Sequence, residues 1–213
     1  HVATGSEITK EAEDLSSGFR RCSNASYIAA LMSRIGVKDI RTIVVPDDIT
    51  ELTRTLVELD AVCDVIITVG GTGKGKRDYT RQAVSDAGGV FVGRDTQQDS
   101  PFVTARLPHA GLIGLPGNPL AVMMIVQCVL LESVRSVFHL PETPAQTVEA
   151  ILNVDIDPGI QGELCVNVRG NTAFPLVKGT GRMRVFDLAH GFVRLNDHGL
   201  KRGDCVTVEL FRN

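Results

Sequence analysis

The chain has no Cys-x-x-Cys pair, no histidines at metal-binding spacing, and no internal repeat or low-complexity tract. Its five cysteines, Cys22, Cys63, Cys128, Cys165 and Cys205, are odd in number and scattered. That argues against a disulfide framework or a zinc knuckle and suits a reducing compartment such as the cytoplasm. An excess of charge of one sign is lacking too: a net charge of −3 gives no general reason to expect nucleic acid or an acidic membrane as partner. No apolar run approaches a bilayer span, since the longest, residues 120–131, is interrupted by Gln127. No signal peptide is visible, and the chain begins at His1 rather than at a methionine, so the natural N-terminus is expected to lie further upstream. What remains is an ordinary globular composition, 43% hydrophobic and 22% charged over 213 residues, enough for one large domain or a medium one plus a small one.

Against these absences stands one glycine-rich stretch. Residues 63–69 are almost continuously apolar and β-branched, which predicts a strand buried on both faces of a parallel sheet. Gly70, Gly71, Gly73 and Gly75 follow within six residues, and Asp78 and Tyr79 open a helix expected to run to about Ala87. Glycine tolerates positive φ and has no Cβ, so such a loop turns tightly and brings backbone N–H groups against a ligand. With a helix start beside it the loop reads as an anion cradle, and Lys74, Lys76 and Arg77 add positive charge. The spacing fits neither standard phosphate loop. Arg77 stands where a Walker A loop needs Ser or Thr, and Lys76 stands where the third glycine of a dinucleotide fingerprint belongs. A simple tight turn is the competing reading.

The rest of the first two thirds alternates strand and helix. Residues 1–3 read as the tail of a truncated strand, followed by the turn Thr4, Gly5, Ser6, Glu7 and Ile8. Residues 10–21 are polar and read as a loop. Residues 24–35 form a helix with Ile28, Leu31, Met32 and Ile35 on one face, Asn24 or Ser23 as N-cap and Gly36 as stop. Residues 41–45 are a strand ending at Pro46 and Asp47. Asp48 caps a helix to about Val62 whose Ile49, Leu52, Leu56 and Leu59 make an apolar stripe. That leaves Asp47 as either a spare loop acid or a residue held at the carboxyl end of a strand, where open α/β sheets place ligands. Residues 89–92, 102–107 and 111–115 read as strands. Pro116, Gly117, Asn118 and Pro119 lead into a long apolar helix to about Phe138, with Asn118 as N-cap and Pro119 at the first helical position.

The pattern changes at residues 140–144, a linker with two prolines. Residues 148–156, 163–168, 173–177, 191–195 and 205–211 are short alternating runs separated by Gly, Asn and Asp, describing a compact barrel of four to five strands. The expectation is therefore an α/β domain at 1–140, three-layered around a mostly parallel sheet, and a small all-β domain at 146–213.

The order of these motifs resembles the molybdopterin-binding domain of molybdenum cofactor biosynthesis proteins. It comprises Thr4 to Ile8, Asn24 at a helix start, Pro46-Asp47-Asp48, Gly70-Gly71-Thr72-Gly73 with Asp78, Tyr79 and Thr80, and Leu115 to Pro119 before a long helix. The β-rich end resembles the C-terminal domain of the MoeA type, the molybdopterin molybdotransferases, whereas the glycine loop is similar to the MogA type, the molybdopterin adenylyltransferases. The MoeA resemblance implies a reaction in which adenylylated molybdopterin and molybdate, with Mg²⁺, give molybdenum cofactor and AMP. It implies functional acids, also the metal ligands, at Glu7, Asp47 and Asp78. It implies pterin contacts from Thr4, Gly5 and Ser6, from the glycine loop Gly70, Gly71, Thr72, Gly73, Lys74, Gly75 and Lys76, and from Pro116, Gly117 and Asn118. A homodimer is implied, with N-terminal domains beyond this chain completing the cleft, and an adenylyltransferase or a molybdoenzyme as possible partners. The chain departs from the MoeA pattern at Gly73 and Ser6, and at residues 97–101, where the family's lysines are absent. Adenylyl transfer to molybdopterin and pterin binding without chemistry stay open as alternatives.

Overall fold

A computed structural model describes residues 2–4, 8–9, 20–21, 23–71, 79–92, 102–137, 139, 144–160, 162–176 and 188–211. The chain divides into two compact units, residues 1–126 and 127–213.

The first unit is built on a six-stranded sheet among the described residues. Its strands are β1 (Val2–Thr4), β4 (Ile43–Val45), β5 (Val65–Val69), β6 (Val90–Phe91), β7 (Val103–Arg106) and β8 (Gly111–Leu115), in the spatial order β4-β1-β5-β8-β7-β6. The four at one side, β4, β1, β5 and β8, are parallel; β7 runs antiparallel to β8, and β6, antiparallel to β7, returns to the direction of the four. A separate parallel pair joins β2 (Ile8–Thr9) to β3 (Arg20–Arg21). Arg20 and Arg21 were expected in a loop. A two-residue strand depends on its partner rather than on its own composition, so nothing in residues 10–21 announces it.

Helix α1 is Ser23–Arg34, and Gly36 at φ 97° stops it, its N–H and that of Val37 taking the carbonyls of Ser33 and Met32. Helix α2 is Ile49–Asp60, and the Asp48 side chain accepts from the Glu51 N–H at 2.9 Å, a cap of about 1 kcal/mol. Helix α3 is Tyr79–Asp86. Leu52, Leu56 and Leu59 of α2 and Ala83 and Val84 of α3 share one core cluster with Ile66 of β5, Ala105 of β7 and Leu112 of β8. Each fully buried Leu there contributes about 2 kcal/mol. Ile67, Val69, Ile113 and Leu115 are also buried but stand outside that cluster, as strand alternation requires of the opposite face. The central strands are thus buried on both faces, as their continuous apolar runs predict.

Helix α4, Pro119–Ile125, starts at the expected Asn118 cap, whose side chain accepts from the Leu120 N–H at 3.0 Å. The long helix then departs from expectation. Val126–Leu130 is a π-helical turn, and α5, Leu131–Val137, resumes the α geometry. A π turn widens the hydrogen-bond ladder by one residue, which apolar periodicity does not report. By length and composition Pro119–Ser136, with a mean hydropathy of 1.5, reaches what a bilayer crossing needs, although the break at Gln127 argued otherwise. Of this stretch 44% is buried within the protein.

The second unit contains a closed five-stranded barrel in the order β10-β11-β9-β13-β12. These strands are β9 (Thr147–Leu152), β10 (Gly162–Arg169), β11 (Thr172–Pro175), β12 (Gly191–Leu195) and β13 (Cys205–Leu210). Ala150, Leu152, Ile156, Val166, Ala173, Val193, Val206 and Val208 fill its interior. Cys63, Cys128, Cys165 and Cys205 are free thiols.

Candidate functional site

The strand register builds an edge. Thr4 pairs with Val45, Ala3 with Val69, and Val69 with Leu115, so the parallel strands β4, β1, β5 and β8 end at nearly one level. At the usual interstrand spacing, the four carboxyl ends span roughly 14 Å. The residues that follow are Pro46 and Asp47, Gly70 and Gly71, and Pro116, Gly117 and Asn118. The sheet therefore gathers these candidates and the backbone of Thr4 along one edge, where open α/β sheets bind ligands.

Two glycine turns meet at the centre of this edge. Gly70 and Gly71 hold φ of 96° and 68°, in the left-handed region that only glycine adopts cheaply. A Cβ on Gly117 would stand 3.9 Å from the Gly70 Cα, so the two turns approach backbone to backbone. Their polar groups are sorted. The Gly70 N–H donates to the Leu115 carbonyl at 2.9 Å and extends the sheet ladder by one bond. The Thr80 hydroxyl donates to the Gly70 carbonyl at 3.0 Å, and the Thr80 N–H to the Gly71 carbonyl at 3.3 Å. Across the edge the Asn24 side-chain amide donates to the Gly117 carbonyl at 3.1 Å. The N–H groups of Gly71, Gly117 and Asn118 meet no acceptor among the described residues. Carbonyls are tied back and amides left over, the arrangement that receives an anion.

Asp47 brings the opposite charge. It is exposed, and its carboxylate has no hydrogen bond or ion pair among the described residues, while its neighbour Asp48 is used by the α2 cap. A carboxylate on the same edge as amides that favour an anion opposes that preference, and a cation between them removes the conflict. Asp47 is an oxygen donor of the type Mg²⁺ takes. Its expected companions Glu7 and Asp78 lie outside the described residues, among which no group of three or more acidic, His or Cys side chains could hold a metal.

Gly5, Ser6, Thr72, Gly73, Lys74, Gly75, Lys76 and residues 97–101 likewise lie outside the described residues. Two residues not among the expected contacts, Thr80 and Asn24, carry the turns. Asn24 or Ser23 was expected to cap α1. The helix instead begins at Ser23, which puts Asn24 inside its first turn and frees its amide for Gly117. The only local signal for either was a short polar residue at a helix start, which ordinarily reads as a cap.

Residues 1–136 match the family described as Probable molybdopterin binding domain. The chain belongs to that family. Over 224 aligned residues the chain is 24% identical to the molybdopterin molybdenumtransferase of Haemophilus influenzae, covering 100% of this chain and 55% of that protein. A protein of the same name from a Nostoc species is 31% identical over 127 residues, 57% of this chain and 29% of the relative. The structure of a molybdopterin biosynthesis MoeA protein from Pyrococcus horikoshii superimposes with a TM-score of 0.79 at 22% identity, over 100% of this chain and 54% of that one. That likeness shows the fold: the mixed sheet followed by a barrel. The chain spans about half the length, or less, of these curated relatives.

Proposed function

We propose that the chain is the C-terminal part of a molybdopterin molybdotransferase. In the whole protein, adenylylated molybdopterin and molybdate would give molybdenum cofactor, with AMP leaving as the diphosphate is cleaved. The observation that supports this reading most is the pair of glycine turns at the carboxyl edge, with the N–H groups of Gly71, Gly117 and Asn118 left without an acceptor among the described residues and the Asp47 carboxylate along the same edge. The alignment of the molybdenumtransferase over the entire chain, barrel included, favours this type over one without a β-domain.

In this reading the free amides hold the pterin phosphate, aided by Lys74 and Lys76, and Thr4, Gly5, Ser6, Thr72, Gly73 and Gly75 shape the walls. Glu7, Asp47 and Asp78 would hold Mg²⁺, which supplies positive charge where the diphosphate gathers negative charge. The pterin-binding domain is residues 1–140 and the barrel domain 146–213. The assembly is a cytoplasmic homodimer, exchanging pterin with an adenylyltransferase or a molybdoenzyme.

Calorimetry with molybdopterin and its adenylylated form, with and without Mg²⁺, tests this on wild type, Asp47→Asn and Asp78→Asn. Mg²⁺ is expected to strengthen binding of the adenylylated form selectively, and each substitution to weaken it about tenfold, or 1.4 kcal/mol. Equal binding of both forms, indifferent to either acid, would leave only a pterin-binding module and sink the transferase reading.

A further inference from the structure

Thr80 and Asn24 occupy equivalent places at the edge. Each is the second residue of its helix, α3 or α1, and each gives a side-chain hydrogen bond to the carbonyl of a glycine in one of the two facing turns. A peptide unit whose carbonyl is held on one side points its N–H to the other, because the group is planar and trans. Holding the Gly70 carbonyl therefore aims the Gly71 N–H, and holding the Gly117 carbonyl aims the Asn118 N–H. Those two amides are among the ones that meet no acceptor among the described residues. Gly70 and Gly71, at positive φ, and Gly117 have no side chain to fix their orientation, so the fixing has to come from elsewhere.

Thr80 is itself held. It is fully buried, and a Cβ on Gly114 of β8 would fall 3.2 Å from its methyl, 3.2 Å from Val103 Cβ and 3.1 Å from Thr68 Oγ1. The bare Gly114 backbone makes the space in which the Thr80 side chain sits, and its walls restrict the rotamer that aims the hydroxyl at Gly70. Its methyl serves packing and its hydroxyl serves the turn, so the two roles separate chemically.

We infer that Thr80 and Asn24 are positioning residues that orient the amides of the two glycine turns and thereby set the affinity of this edge for the anionic pterin. The inference rests on the pterin-site reading above and extends it to residues that touch no ligand themselves. The test compares the full chain with Thr80→Val, Thr80→Ser and Asn24→Ala, reading the molybdopterin dissociation constant by calorimetry, the thermal midpoint, and ligand-free amide hydrogen exchange at Gly70 and Thr80. Thr80→Val keeps the shape and loses the hydroxyl: affinity should fall about tenfold, with faster exchange at Gly70 and a midpoint lowered by the unmet Gly70 carbonyl. Thr80→Ser keeps the hydroxyl and loses the methyl: the midpoint should fall while affinity stays within about threefold of wild type. Asn24→Ala should weaken binding about three- to tenfold. Affinity that tracks the midpoint across all three variants, or Thr80→Val binding as wild type does, overturns the inference. Absence of molybdopterin binding by wild type would instead overturn the pterin reading. Exchange at Gly70, faster in Thr80→Val than in Thr80→Ser, would then still uphold the anchor, and equal exchange in the two would overturn it.

Discussion

Asp60, the last residue of α2, is 8% exposed and accepts three hydrogen bonds from the turn before β8: the His109 N–H at 3.0 Å, the Ala110 N–H at 2.7 Å and His109 Nδ1 at 3.0 Å. Burial works to raise its pKa. The bonds from the His109 ring and from the two backbone N–H groups outweigh burial and hold the carboxyl below its ordinary value. A depressed carboxylate stabilises the fold above its unfolded pKa, and that contribution disappears as pH falls through the folded one. Asp60→Asn should therefore lower stability by about 1–2 kcal/mol at neutral pH. The gap to wild type should be full above about pH 4 and close below it. Urea melts of both proteins from pH 7 to pH 3 measure this, and a gap independent of pH would remove the carboxylate from the explanation. The neighbouring device, Asp48 capping α2, was legible because the cap lies three residues from the N–H it serves. The Asp60 clamp was not, since its partners are 49 and 50 residues away.

At the scale of elements, most strands and helices stand within two residues of where periodicity and punctuation place them, as α2 and β8 illustrate. The π turn at Val126–Leu130 and the β2–β3 pair escape that reading, because one is a ladder defect and the other a pairing. Gly191 shows how an element can hinge on one missing atom. At the start of β12 it pairs with Leu210 of β13, and a Cβ there would overlap the Glu209 carbonyl oxygen and stand 2.9 Å from both Glu209 C and Leu210 Cα. Backbone atoms within a barrel ladder cannot swing aside. Gly191→Ala should cost about 1–3 kcal/mol by overpacking, and should act on the barrel first. A thermal melt followed by circular dichroism, with amide exchange along β12 and β13, checks this. An unaltered midpoint with unaltered exchange would mean that the ladder yields.

For the whole molecule, the barrel carries its own core, since its interior residues lie between Ala150 and Val208. The compact unit that contains it begins earlier, at Gln127. Cys128 shows why. Burial pushes its thiol up to about 12, with the Glu163 carboxylate adding to the shift and the Arg194 guanidinium opposing it, so Cys128 is within electrostatic reach of β10 and β12. Two fragments separate these views. Residues 144–213 and residues 127–213 should both give cooperative β-type transitions, and the longer should melt about 5 °C or more higher, as roughly 1 kcal/mol of added helix packing implies at this size. Equal midpoints would assign the helix no stabilising part in that unit. A shorter fragment that fails to fold would make the helix part of the barrel's core.

Sequence alone determined the element order, the change from α/β to all-β, the glycine turn after a buried strand and the Asn118 cap. Each of these is encoded by a short-range pattern: a period, a cap, a residue that permits positive φ. Tertiary structure alone decided that four strand ends share one level, that the Gly70 and Gly117 turns face each other, and that Thr80 and Asn24 hold their carbonyls. These are relations of register and approach between segments as much as 93 residues apart. No local propensity records them, because the hydrogen bonds that fix them form only once the sheet has brought its strands together.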